Sequence, residues 1–421
     1  MAVALNKNIK NLKLSSTLAI NEKSKELEKK GLKIFRLGLG QSPFPVPNSV
    51  INSLKAHAAE KDYLPVNGLF ELREKISNFN KRFINFSSNP EDVIVGPGLK
   101  ELIFYAQLVF DGPTLLPNPC WVSYFPQAKI LNKKINLIKT SFENRYKITP
   151  EDIINHSDKK KSQLLILNYP NNPSGMTYNS KELKAIAEVA RENNIYVISD
   201  EIYGMFNFKD NHNSLAEYYP EGTIVSSGLS KWCGAGGWRF GYLIFPKALE
   251  NMRKAVIHVA SETYTTVNAP LQYAAIKAFS KDKNIDKYLF HSRKILNALA
   301  KKCSDILDFS SLKFHMPESG FYLFPNFDNY AKELSKRGIK SSKELCERIL
   351  KDTGVATLPG ADFERPNKEL SMRIAFVNFD GSCALKKSYL LGQSAILSDD
   401  FLEKYCSDTL EAVKRIVNWL P

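Results

Sequence analysis

The 421-residue chain has little cysteine, and what it has is scattered: Cys120, Cys233, Cys303, Cys346, Cys383 and Cys406, with no CxxC pair and no histidine at ligand spacing. That pattern argues against a zinc site or a secreted disulfide framework, so no metal is expected, and it points to a reducing compartment. No apolar run reaches the ~20 residues of a membrane-spanning helix. Neither a P-loop nor a GxGxxG fingerprint occurs, and there is no internal repeat. Glycine and proline, 21 each, are too few for a collagen-like or low-complexity chain. Residues 1–20 carry Lys7, Lys10 and Lys13, with no acid before Glu22, no arginine and no signal-peptide core. They are only faintly like an organellar transit peptide, and a soluble cytoplasmic protein is expected.

What is present is globular. The chain is 43% hydrophobic and 24% charged, with 25 Phe and 18 Tyr, enough for a large core. Its length suits two or three domains, or one large and one smaller. The formal charge of +14, from 58 basic against 44 acidic residues, first suggests an acidic partner. Yet the basic residues are 45 Lys and only 13 Arg, dispersed along the chain. The longest run, Lys159, Lys160 and Lys161, follows Asp158 in a polar stretch and reads as a solvated loop. No nucleic-acid partner and no membrane partner is expected.

Short β-rich runs at 93–95, 134–139, 163–168, 195–199, 223–226 and 241–245 alternate with helical patterns. One such pattern is 180–193, with Leu183, Ile186, Ala187 and Ala190 on one face. Near-continuous apolar strands alternating with helices predict a mostly parallel sheet covered on both faces, an α/β fold. Chemistry gathers at the carboxyl ends of such strands, and three runs end in polar residues there: Asn168, Asp200 and Ser226 onward. Beyond about residue 282 the pattern changes to helix, a β-like stretch at 320–324, more helix, another at 372–377 and a last helix, as in a smaller α+β domain.

Three stretches stand out, and each has a plain structural reading beside a chemical one. In Ser226-Ser227-Gly228-Leu229-Ser230-Lys231 and on to Gly236-Gly237-Trp238-Arg239, a lysine follows a strand and an arginine lies beyond a glycine-rich bend. A lysine in a partly dry pocket has a lowered pKa and can form a Schiff base, and an arginine fork can hold a phosphate. Taken alone, the stretch reads more readily as a surface loop. Ser199-Asp200-Glu201-Ile202-Tyr203 sets acids at a buried strand tip, where a carboxylate needs a cation such as a protonated pyridine nitrogen, or else caps the next helix. Asn168-Tyr169-Pro170-Asn171-Asn172 and Val95-Gly96-Pro97-Gly98-Leu99-Lys100 are turns after strands. The first could offer an amide, and the second has backbone N–H groups at a helix start, which suit a phosphate.

Together, in order and spacing, these stretches resemble the fold-type-I pyridoxal-phosphate aminotransferases of class I/II, nearest the bacterial aspartate/aromatic branch, from about Lys13 to Ala375. The resemblance implies a seven-stranded, mostly parallel sheet in a large cofactor domain at 46–285. It also implies a small α+β domain built from 1–45 and 286–421. Lys231 is implied as the Schiff-base and catalytic lysine, Arg239 as the phosphate arginine, Asp200 as the partner of the pyridine nitrogen, and Tyr203 and Asn172 as donors to the phenolic oxygen. Gly98, Leu99 and Lys100 match the phosphate loop, and Trp121 the aromatic residue on the ring face. Tyr63 matches the tyrosine that reaches the neighbouring subunit's site, which implies a homodimer. Gly40 and Arg373 match the positions lining and gripping the substrate carboxylate, an anion suited to a planar fork. Many relatives carry a serine where Gly228 stands, with Ser227 or Ser230 as substitutes here.

The implied reaction moves an amino group between an L-amino acid and a 2-oxo acid, with freed Lys231 as base. Thr17 and Lys100 match residues that meet an acidic side chain, although Lys100 is equally explained as a solvated residue at a helix start. Phe44, Trp121 and Tyr322 could instead accept an aromatic one. Aspartate or glutamate is the expected partner, with an aromatic amino acid next. The rival is a carbon–sulfur β-lyase on the same site. A non-catalytic cofactor-binding regulator is disfavoured by Lys231, Asp200 and Arg373 occurring together.

Overall fold

In the computed structural model, which describes residues 3–10 and 12–421, twelve strands are recognised in chain order. They are β1 (Phe35–Arg36), β2 (Val93–Gly96), β3 (Thr114–Asn118), β4 (Ile135–Lys139), β5 (Gln163–Asn168) and β6 (Ile195–Asp200). After these come β7 (Thr223–Gly228), β8 (Gly241–Ile244), β9 (Tyr322–Leu323), β10 (Val355–Ala356), β11 (Leu358–Pro359) and β12 (Met372–Ala375). Seven form one sheet in the order β2-β8-β7-β6-β5-β3-β4. β8 alone runs against its neighbours.

The sheet is buried on both faces, which is why its strands read as unbroken apolar runs. Along β5, Leu164 and Ile166 join one hydrophobic core while Leu165 and Leu167 join another on the opposite face. The helix Ser180–Glu192 closes the second core with Leu183, Ile186, Ala187 and Ala190. Asn179 starts that helix with a reciprocal cap to Glu182, satisfying two backbone donors.

Two smaller sheets lie beyond. β9, β11 and β12 pair antiparallel, with β12 in the middle. β1 pairs in parallel with β10, Phe35 opposite Val355, so residues from near the two ends of the chain share one sheet. No helix among the described residues is long and apolar enough to cross a membrane.

Two expectations need correction. β3 lies in the middle of the parallel array yet carries Pro117 and follows Gly112-Pro113, turn signals that hid it. The last segment is three helices rather than one: Gly381–Leu391, Asp399–Tyr405 and Ser407–Trp419. Gly392, at φ 83°, ends the first, and the Ser398 side chain caps the start of the second.

Candidate active site

The parallel register sets Asn168 beside Asp200 and Asp200 beside Ser226, so three strand ends deliver their polar residues to one edge of the sheet. A cleft of about 600 Å³ opens there. Its lining includes Thr17, Gly40, Leu99, Lys100, Trp121, Asn172, Asp200, Tyr203, Lys231, Arg239 and Arg373. Gly98 and Tyr63, matched to cofactor positions in the sequence, lie outside this lining. Gly98 lies directly behind Arg239, whereas Tyr63 is 87% exposed on a surface loop.

Asp200 is buried, and its carboxylate accepts from the Tyr124 hydroxyl and, at 3.2 Å, from the Ile202 N–H. Among the described residues no cation lies within ion-pair distance of it. Burial pushes its pKa up to about 6, against the pull of the Tyr124 and Ile202 hydrogen bonds. Glu201 has a different fate: it accepts from Ser199 at 2.7 Å and Ser214 at 2.6 Å and contacts His212 Nε2 at 2.9 Å. Adjacent side chains on a strand point to opposite faces, so only one of the two acids serves the cleft.

Lys231 Nζ donates to the Gly40 carbonyl at 2.7 Å. Burial first, then the nearby Arg373 charge, lowers its pKa to about 7, so the amine is substantially neutral at physiological pH. Arg239 has φ 59°, a left-handed conformation uncommon outside glycine, and donates to the Gly236 carbonyl at 2.9 Å. Gly98, at φ 97°, leaves room for it: a Cβ there would fall 2.2 Å from Arg239 Nη2.

Arg373 is 1% exposed and donates to Asn172 Oδ1 at 2.9 Å and to the Gly38 carbonyl, while its Nε has no partner among the described residues. Trp121 flanks the cleft, with Lys100 Nζ 5.1 Å from its ring. Burial, then Arg239, holds the Lys100 pKa below its usual value. Among the lining residues, three cations, Lys100, Arg239 and Arg373, and the partly charged Lys231 accompany the single acid Asp200.

Two further readings change. Phe44 does not line the cleft; it is 2% exposed and packs edge-on against Phe206, Tyr288 and Phe379 in the core. Position 228 cannot hold the serine of many relatives, because a Cβ there would sit 2.5 Å from the Phe240 carbonyl oxygen. Ser230 lines the cleft instead. Sequence reasoning missed Tyr124, whose link to Asp200 depends on how the helix Tyr124–Ile130 seats against the sheet. It also missed Asn21, Leu39 and Gln41, which reach the cleft from near the amino end without a motif.

Residues 33–380 match the family model "Aminotransferase class I and II". The chain is 33% identical over 375 residues to an aspartate aminotransferase of Bacillus subtilis, covering 86% of this chain and 92% of that one. It is 30% identical over 377 residues to an asparagine–oxo-acid transaminase of Streptococcus mutans, at the same coverage. In fold it resembles the aspartate aminotransferase of Thermus thermophilus solved with maleate, at TM-score 0.84 and 24% identity, over 99% of this chain and 100% of that chain.

Proposed function

The chain belongs to the class I and II aminotransferases, a family that works with pyridoxal 5′-phosphate, and on that premise we propose that it exchanges amino groups between a dicarboxylic L-amino acid and a 2-oxo acid. The observation that carries the substrate class is the charge of the cleft: apart from Lys231, the three cations Lys100, Arg239 and Arg373 stand with Asp200 as the single lining acid, which suits a phosphate and two carboxylates.

The residues fit the cofactor. Asp200 is a buried acid whose only hydrogen-bond partners among the described residues are neutral, which leaves it suited to a protonated ring nitrogen. Arg239 and the helix start at Leu99 form a cradle for the phosphate that a side chain at position 98 would fill. When bound, pyridoxal phosphate supplies an aldehyde for the amino group and a protonated ring that draws electrons from the α-carbon.

The chain's own residues do the rest. Lys231, its pKa lowered to about 7 so that a large share is neutral at physiological pH, would be the nucleophile that holds the aldehyde, and once released its Nζ would take the substrate's α-proton. Asp200 would keep the ring nitrogen protonated, and Tyr203 and Asn172 would donate to the ring oxygen. Arg373 grips the α-carboxylate with a fork already oriented by Asn172 and Gly38. Trp121 covers the ring face, while Lys100 and Thr17 meet the distal carboxylate.

We further assign 1–45 and 286–421 to a small domain and 46–285 to a large one, a division that the β1–β10 pairing supports. Tyr63, solvent-exposed in the single chain, is assigned to the partner's cleft in a homodimer. The six free thiols favour the cytoplasm. A panel of L-amino acids given to the cofactor-loaded protein tests the substrate class. Fastest conversion of the yellow form by aspartate or glutamate supports it, and exclusive conversion by aromatic or aliphatic amino acids contradicts it.

A further inference from the structure

Beneath Arg373, in the lining of the cleft, lies the phenol of Tyr322. Tyr322 is 1% exposed, and its hydroxyl lies 2.8 Å from that of Tyr203, the two rings meeting edge-on. The Arg373 guanidinium stands 4.5 Å from the Tyr322 ring centroid. Gly40 packs so close that a Cβ there would fall 1.9 Å from the Tyr322 hydroxyl.

A phenol carries one proton, so in this pair only one hydroxyl donates to the other. A permanent cation over an aromatic face draws electron density from it and makes its hydroxyl the better donor. Arg373 is such a cation for Tyr322. The Tyr203 ring instead has Lys231 Nζ at 5.6 Å, an amine whose pKa is lowered to about 7 and which is therefore not a permanent cation. Burial raises both phenols; Arg373 opposes this at both, ranking next after burial at Tyr322, whereas at Tyr203 it ranks behind the contact with Tyr322 and that phenol is driven well above its usual value.

Resting on the proposed function, we propose that Tyr322 is a positioning residue: its hydroxyl donates to the Tyr203 oxygen and so turns the single Tyr203 proton into the cleft, toward the cofactor's ring oxygen. Tyr322 acts through Tyr203, and donation along the chain strengthens the last hydrogen bond. The carboxylate grip and the ring oxygen are thereby served by one stack, Arg373 over Tyr322 against Tyr203.

The test is a spectroscopic pH titration of the cofactor-loaded protein, following the midpoint of its visible absorption. A donor to the ring oxygen stabilises the deprotonated, anionic form, so weakening it raises the midpoint. Tyr322→Phe, which keeps the ring under Arg373, is expected to raise the midpoint by about 0.5 unit. Tyr203→Phe is expected to raise it further, and the double variant no further than Tyr203→Phe alone. Replacing Tyr322 by 3-fluorotyrosine, a better donor of the same shape, is expected to lower it. An unmoved midpoint in Tyr322→Phe, additive shifts in the double variant, or a rise with fluorotyrosine overturns the proposal. A parent protein that takes up no cofactor overturns both this proposal and the function on which it rests. A parent that titrates normally beside an unmoved Tyr322→Phe overturns the proposal alone.

Discussion

Tyr124 donates its phenolic proton to Asp200 at the tip of β6, and this neutral contact is the carboxylate's only side-chain hydrogen bond among the described residues. A buried acid held this way destabilises the cofactor-free protein and is useful only when a cation arrives. Asp200→Asn should therefore lower transamination by at least ~10²-fold while leaving the cofactor-free Tm unchanged or higher. The folded-state pKa is raised, from 3.8 to about 6, so the folded state binds the extra proton between those values. Stability of the parent then falls as pH rises from about 4 to about 6, and the Tm gap to Asp200→Asn widens over the same window. Scanning calorimetry of both proteins across that range checks it.

Lys231 sets a second pH dependence. With its pKa lowered to about 7, the amine is protonated and unreactive in acid and free above neutrality. Capture of pyridoxal phosphate by the cofactor-free protein, followed by stopped-flow absorbance, should accelerate with a midpoint near 7. A midpoint near the ordinary 10.5 would show that burial does not tune this amine.

In the proposed function, Lys100 and Arg373 divide the substrate between them. Arg373→Lys loses the planar fork on Asn172 and Gly38, and should raise KM for every amino acid by ~10–100-fold. Lys100→Ala should lower kcat/KM by a similar ~10–100-fold for aspartate and glutamate only, sparing phenylalanine. Steady-state kinetics with acidic and aromatic donors separate the two effects.

Gly228→Ser restores the residue that many relatives carry, yet should not improve cofactor binding. Its Cβ would meet the Phe240 carbonyl and Gly241 backbone, neither of which can swing aside. The expected result is a loss of roughly 1–3 kcal/mol in urea unfolding, with cofactor affinity no better than the parent's.

Much of this cleft was legible because its residues sit at or just after the ends of β5, β6 and β7, whose near-complete burial leaves runs of apolar residues in each. The polar residue ending such a run is conspicuous, and Asn168 and Asp200 are examples. β3 was not legible, since Pro117 is tolerated there by the local pairing and not by any propensity. Tyr124, Asn21 and Gln41 were hidden for a different reason. Their places are fixed by tertiary packing across distant segments, which leaves no spacing in the chain. Phe44 shows the reverse error: an aromatic residue near a motif was taken for a cleft residue, yet it fills the core between Phe206, Tyr288 and Phe379.

The most direct test of Lys231 as nucleophile and base is a single-turnover comparison. Parent protein and Lys231→Ala are loaded with pyridoxal phosphate and mixed with L-aspartate, and formation of the amino form of the cofactor is followed by absorbance. The parent should convert rapidly and stoichiometrically, and Lys231→Ala should fold normally but convert slower by ~10²–10⁴-fold or more. Conversion in Lys231→Ala at close to the parent's rate would contradict the assignment of the site.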